Sequence, residues 1–109
     1  MNIKILPSAL EDLRRGWQFY EWQQEGLGDY FQDSLFSDIE SLRLYPGVHR
    51  VVFGYHRLLS KRFPYAIYYE FDGVDQILVF RILDMRRDPR SIKDGLKRGA
   101  DGTSGATLS

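Results

Sequence analysis

An α+β fold is the class this sequence predicts: an αα-hairpin packed on one face of a mostly antiparallel four-stranded sheet, in the order β-α-α-β-β-β, with a short C-terminal helix. Three observations predict it. Before Tyr45, apolar residues recur at helical spacing; after Gly47, the chain passes into short runs rich in β-branched and aromatic residues. Each of those later runs reaches the next through a short turn, which suits antiparallel pairing with the helices gathered on one side. A length of 109 residues leaves room for one modest core.

"NIKIL" alternates, with Ile3 and Ile5 on one side, and reads as a first strand ended by Pro7. Ser8 and Glu11 have capping-box spacing, so a helix is expected to open there. Leu10, Leu13, Trp17 and Tyr20 form its apolar stripe, leaving Phe19 and Trp22 off it. "EGLGD" at 25–29 breaks this helix, and Leu27, Phe31, Leu35, Ile39 and Leu42 mark a second one ending at "YPG", 45–47. "VVFGY" and "RLLSKRF" together read as one strand, interrupted at Gly54, with a turn at Phe63-Pro64. "YAIYYEF" is the next strand, placing Tyr65, Ile67, Tyr69 and Phe71 on one side and Tyr68 on the other. The "DG" at 72–73 predicts a type I′ hairpin turn. "QILVFRILDM" is apolar on both faces except at Arg81, as a central strand should be. "RRDPRSIKDGLKRG" predicts a short helix with Pro89 near its first turn. One domain over residues 1–98 results, and the small, polar residues 99–109 are expected to form a disordered tail.

The absence of Cys removes disulfides, Cys-zinc sites and thiol nucleophiles. No signal-like or membrane-spanning run is present, so a cytoplasmic setting without membrane contact is expected. Zero net charge hides a division. Residues 1–42 carry three Lys/Arg against eight acids, whereas residues 43–98 carry twelve against six. A basic C-terminal half suggests one surface turned towards a polyanion or an acidic partner.

Strict alternation puts Ile77, Val79, Arg81 and Leu83 on one face of the last strand, and Leu78, Phe80 and Ile82 on the other. The all-apolar set should meet the helices, which turns Arg81 to the open face, where Arg57 and Lys61 can join it. Arg62 precedes the turn, and Arg86 and Arg87 follow the last strand. Such a set can hold a phosphate backbone, with neighbouring tyrosines stacking bases. The competing reading pairs Arg81 with Glu70 or Asp84 and leaves the other cations solvated. His49 and His56 are the only histidines; His56 beside Arg57 is a possible proton-transfer group. No ligand-spaced metal cluster and no P-loop, dinucleotide or G-x-S-x-G motif occurs, so no metal or cofactor is expected.

"ALEDLRRGWQFYEWQQEGLGDYF", Ile39, Pro46, "RLLSKRFPYAIYYEFDG" and "VFRILDMRRDPRSI" in combination resemble the RelE/ParE family of type II toxin–antitoxin toxins, over about residues 3 to 92. The resemblance implies that family's β-α-α-β-β-β fold and a growth-inhibiting role, neutralised by a cognate antitoxin. Phe19 and Trp22 would then be candidate antitoxin contacts. Two targets are implied. RelE-like members cut mRNA on the ribosome without metal, by 2′-OH attack on the adjacent phosphate, which needs a proton acceptor, a donor and cations. On that reading Arg57, Lys61 and Arg81 stabilise the phosphate, with His56 or Asp84 moving protons. ParE-like members bind DNA gyrase and need only basic and aromatic surface. Ala66 stands where ribonuclease relatives carry an arginine, and Asp84 where many carry histidine. The incomplete set favours gyrase inhibition, with the ribosome-dependent endoribonuclease as the alternative.

Overall fold

Proline opens the first helix of this chain. In the computed structural model, which describes residues 1–99 and 106–108 (98, 99 and 106–108 as backbone only), β1 spans Asn2–Ile5 and α1 spans Pro7–Gln23. Pro7 takes the first helical position, where its missing N–H costs nothing. The expected Ser8–Glu11 capping box does not form: Leu6 is the N-cap and no side chain caps it. Glu11 instead accepts from Arg14 and Arg15, three and four residues further along the helix. Those bonds, Arg14's above all, draw its pKa down to about 2.

α2, Leu27–Glu40, follows a three-residue link and continues into a 3-10 turn at Ser41–Arg43. Its stripe is as expected, with Phe31, Leu35, Ile39 and Leu42 fully buried. The buried face of α1 is rotated from the expected one: Ala9, Asp12, Leu13, Gly16 and Tyr20 are inside, while Leu10 and Trp17 are half-buried. The reason is the helix crossing. A Cβ built at Gly16 would overlap the Phe31 ring, so the two helices meet at a notch that only glycine leaves open. Glu21 ties the hairpin tip by accepting the Gly26 and Gly28 N–H groups.

The remaining elements are β2 (Val51–Val52), β3 (Tyr55–Leu59), β4 (Tyr65–Phe71), β5 (Gln76–Asp84), α3 (Pro89–Gly99) and β6 (Ala106–Leu108). They form one sheet in the order β2-β3-β4-β5-β1-β6. Only the β1–β5 pairing is parallel. The strand expected as one piece around Gly54 is two. Phe53 and Gly54 (φ 54° and 86°) form a two-residue turn joining β2 to β3, the backbone signature of a type I′ hairpin. The turn expected to be type I′, Asp72-Gly73, is instead part of a four-residue loop between β4 and β5. There the Asp72 carboxylate accepts the N–H groups of Val74, Asp75 and Gln76, which holds its pKa below the usual carboxylate range. Within the stretch expected to be a disordered tail, residues 106–108 lie as an edge strand on β1; 100–105 and 109 lie outside the described residues.

Two cores sandwich the sheet. The larger lies under α1 and α2 and takes Ile3, Ile5, Ile67, Tyr69, Ile77, Val79 and Ile82. The smaller lies under α3, where Ala66, Tyr68 and Leu83 meet Ile92 and Leu96. Strict alternation cannot put Ile77, Val79 and Ile82 on one side, and a β-bulge resolves it. Tyr68 pairs with Arg81 but Tyr69 with Val79, so Phe80 is an extra residue. The bulge reverses the facing of everything after it. Ile77 and Val79 therefore face α1 and α2, against expectation, and so does Ile82, as expected.

Candidate functional site

β1 ends at Ile5, but β5 runs on to Asp84, and past Val79 no described strand pairs with that edge. Along it opens a cleft of about 700 Å³, walled by α1 (Glu11, Arg15, Phe19) and by Asp84 and Arg87, with Tyr65 and Arg81 in its lining. Its floor is a buried ion pair. Arg81 donates from Nε to Asp12 Oδ2 at 2.6 Å and from Nη2 to Asp12 Oδ1 at 2.8 Å. Asp12 also accepts the backbone N–H of Ile82 at 2.9 Å, supplying the acceptor that a neighbouring strand would have given. The third guanidinium nitrogen donates to the Gly95 carbonyl of α3. One arginine thus joins α1, β5 and α3. Gly95 fits this seat because a Cβ there would lie 3.3 Å from Arg81 Nη1.

The mouth of the cleft is aromatic and charged. Arg86 donates to Asp84 at 2.6–3.1 Å and lies with its guanidinium 6.0 Å from the Phe19 ring centre. Those bonds, and the Arg86 N–H, hold the Asp84 pKa below its ordinary value, and the Arg86 pKa is raised in return. Burial pushes the Tyr65 hydroxyl up to about 12, assisted by Tyr20 and Asp84. Arg87 turns to Ser91 Oγ and its carbonyl, and Asp88 caps α3 by accepting the Arg90 N–H. A carboxylate locked to arginine and a phenol ionising only at high pH are poor proton carriers near neutrality.

Residues 3–89 match the family described as ParE toxin of type II toxin–antitoxin system, parDE. This chain belongs to the ParE toxin family. A solved structure titled "Chromosomal ParDE TA system from P. aeruginosa" shares its fold, with a TM-score of 0.63 at 22% sequence identity, over 75% of this chain and 92% of that one. No curated protein matches the sequence. The family assignment makes the chain a toxin of the type II toxin–antitoxin kind.

In this ParE-family chain Arg57 and Arg81 share the face of Tyr68, one on each neighbouring strand, but Lys61 does not join them. Arg81 reaches the second face only because of the bulge, and it is held by Asp12 beneath α3, not by Glu70 or Asp84. Arg57 sits half-buried on β3 opposite Tyr68, a wholly buried side chain whose pKa burial raises and Arg57 lowers in part. Lys61 and Arg62 are not on a strand. β3 stops at Leu59, because Ser60 Oγ bonds Asp38 and Phe63 swings under the helices among Tyr20, Tyr30 and Phe31. Alternation therefore never carries Lys61 to the sheet face. Phe19 and Trp22 are exposed on α1, Trp22 at 87%, with Tyr30 of α2 also exposed. Among the described residues no metal-binding cluster of His, Cys, Asp or Glu occurs, and no helix is long and apolar enough to cross a membrane.

Both histidines meet at Tyr69. His56 stacks on its ring and donates from Nδ1 to the His49 carbonyl at 2.7 Å. His49 Nδ1 bonds the Tyr69 hydroxyl, which also accepts the Gly47 N–H. Burial, and then His56, lower the His49 pKa from 6.5. The unfolded chain therefore takes up a proton at His49 before the native one does. Stability is expected to fall as the pH drops below 6.5 towards the lower native value, and to level off beneath it. Urea midpoints at pH 7.5 and 5 should show this loss, and His49→Gln should shrink it; an unchanged slope would assign the pH dependence elsewhere.

Asp12 and Gly16 went unseen in the sequence reading. Asp12 lies three residues after Ala9 and four before Gly16, on the face that is buried, and a lone carboxylate there asks for a buried cation. Nothing local in the sequence names Arg81, 69 residues away, as that cation.

Proposed function

We propose that this toxin arrests growth by binding DNA gyrase, not by cutting RNA. The observation that carries the reading is the closure of the sheet face an RNA strand would need: α3 covers Ala66, Tyr68 and Leu83, and Arg81 is spent on Asp12 and Gly95. Phosphate cleavage asks for convergent cations and a proton-transfer pair. His56 is stacked and bonded within the fold, and Asp84 is held ionised by Arg86. Gripping a protein asks for neither. A cognate antitoxin is the proposed cover for Phe19 and Trp22, whose exposure on the helical hairpin is what a partner helix or strand would remove from water.

The test is expression from a repressed promoter, followed by purified gyrase assays. Filamentation, a DNA-damage response and gyrase-linked DNA breaks are expected, with message cleavage absent. Arrested translation with codon-associated cuts in translated messages, and intact DNA, would replace gyrase with the ribosome as the target.

A further inference from the structure

β1 is paired on both sides, by parts of the chain far apart in sequence. On one side Asn2 and Leu6 donate to the Asp75 and Val79 carbonyls. Backbone groups alternate in direction along a strand, so Ile3 and Ile5 turn theirs to the opposite edge. There β6 lies antiparallel, with Leu108 opposite Ile3, Thr107 opposite Lys4 and Ala106 opposite Ile5. Ala106 and Leu108 therefore face the bonding groups of β1, and the Thr107 N–H points away from it.

This cover is a slight one. β6 has three residues and lies outside residues 3–89, which match the family. Gly99, Gly102 and Gly105 stand in the stretch that leads to it. Ordering such residues costs about as much as the backbone hydrogen bonds of so short a strand return. What the edge accepts is shown by what is seated there, an extended polypeptide. Phosphates could take its N–H groups but would leave the Ile3 and Ile5 carbonyls without donors. A second copy of β1, in the register that joins Ile3 to Ile5, would set Lys4 against Lys4. Lys4 makes no ion pair among the described residues, so its best opposite number is an acid. Ile3 and Ile5 are wholly buried in the larger core, so positions opposite them border that core and suit apolar residues.

We propose that β1 is a strand-addition site for an extended segment of a protein partner, apolar–acidic–apolar in sequence, and that β6 is the toxin's own strap over it. The strap carries threonine at the one position, 107, where an acid would hold better. A partner with that acid displaces it. The site lies on a sheet edge, apart from Phe19 and Trp22 of α1, and does not depend on whether gyrase or the ribosome is the target.

Amide exchange of the full chain tests the strap, with Lys4 as the internal reference because its N–H faces β5. The Ile3 and Ile5 amides should exchange roughly tenfold or more faster than that of Lys4. Ala106→Pro should strip their remaining protection, whereas Thr107→Pro should leave it, since only the first removes a donor aimed at β1. Equal protection of all three amides in the wild type overturns the strap, making β6 a fixed strand of the fold. The partner's chemistry is tested with synthetic peptides of residues 103–109, carrying Thr107→Glu, Thr107→Lys or no change. The Ala106→Pro protein should bind the glutamate peptide roughly tenfold or more tighter than the lysine peptide, and tighter than the wild type does. No difference between peptides overturns the acidic partner. A dimer of the Ala106→Pro protein in sedimentation, with no peptide bound, would replace the partner strand with a second copy.

Discussion

Replacing Arg81 with alanine should destabilise the fold by about 3–5 kcal/mol, because it strands a buried carboxylate. A domain of this size has about 5–15 kcal/mol in hand, so the variant should be close to unfolding at growth temperature. The cause is visible in the partners. Asp12 and Arg81 are 8% and 12% exposed, their bonds are bidentate, and the arginine also seats α3 through Gly95. Urea denaturation reads the loss, and exchange of the α3 amides should rise ahead of global unfolding. Replacing both partners, Asp12→Leu with Arg81→Met, should recover part of the loss, since a paired apolar swap avoids the uncompensated charge. It should not recover all of it, because Ile82 N–H loses its acceptor. A loss under about 1 kcal/mol for Arg81→Ala would show that the pair is solvated and that α3 docks without it.

The second large effect is expected at Phe31. It is fully buried where Tyr20, Phe63 and Tyr65 meet, with ring centres 4.9–5.1 Å away, and its ring lies against Gly16 of α1. Phe31→Ala should cost about 3–5 kcal/mol through the cavity it leaves. Gly16→Ala alone should cost about 1–3 kcal/mol by forcing the helices apart or the ring off its rotamer. The two sites share one space, so Gly16→Ala combined with Phe31→Leu should cost less than the sum of its parts. Denaturation midpoints of the four proteins test this. Strict additivity would mean that the helix crossing has slack the geometry does not show.

Most of the elements were legible because each announces itself over a few residues. The α2 stripe from Phe31 to Leu42 and the alternation of Tyr65 to Phe71 sort apolar from polar locally, and both matched the structure. The β2–β3 turn was hidden because Phe53 contradicts the residue preference of its own conformation. Asp72-Gly73 misled in the opposite way: the pair suits a tight turn, but the Asp72 carboxylate finds three N–H groups in a wider loop. The candidate site was less legible. Placing Arg81, Lys61 and Arg57 on one open face assumed unbroken alternation; Arg81 shares Tyr68's face with Arg57 only through the bulge at Phe80, and the strand end at Leu59 keeps Lys61 off it.

By itself the sequence determined the α+β class, the helical hairpin, the faces of β4 and the family resemblance. These follow from periodicity and from contiguous motifs, which need no knowledge of distant contacts. Tertiary structure alone decided that α3 closes the second sheet face, that Asp12 is the partner of Arg81, and that Lys61 leaves the strand. The physical reason is shared by all three. A bulge, a buried charge pair and a strand end are set by which groups remain unsatisfied once elements far apart in sequence have packed together.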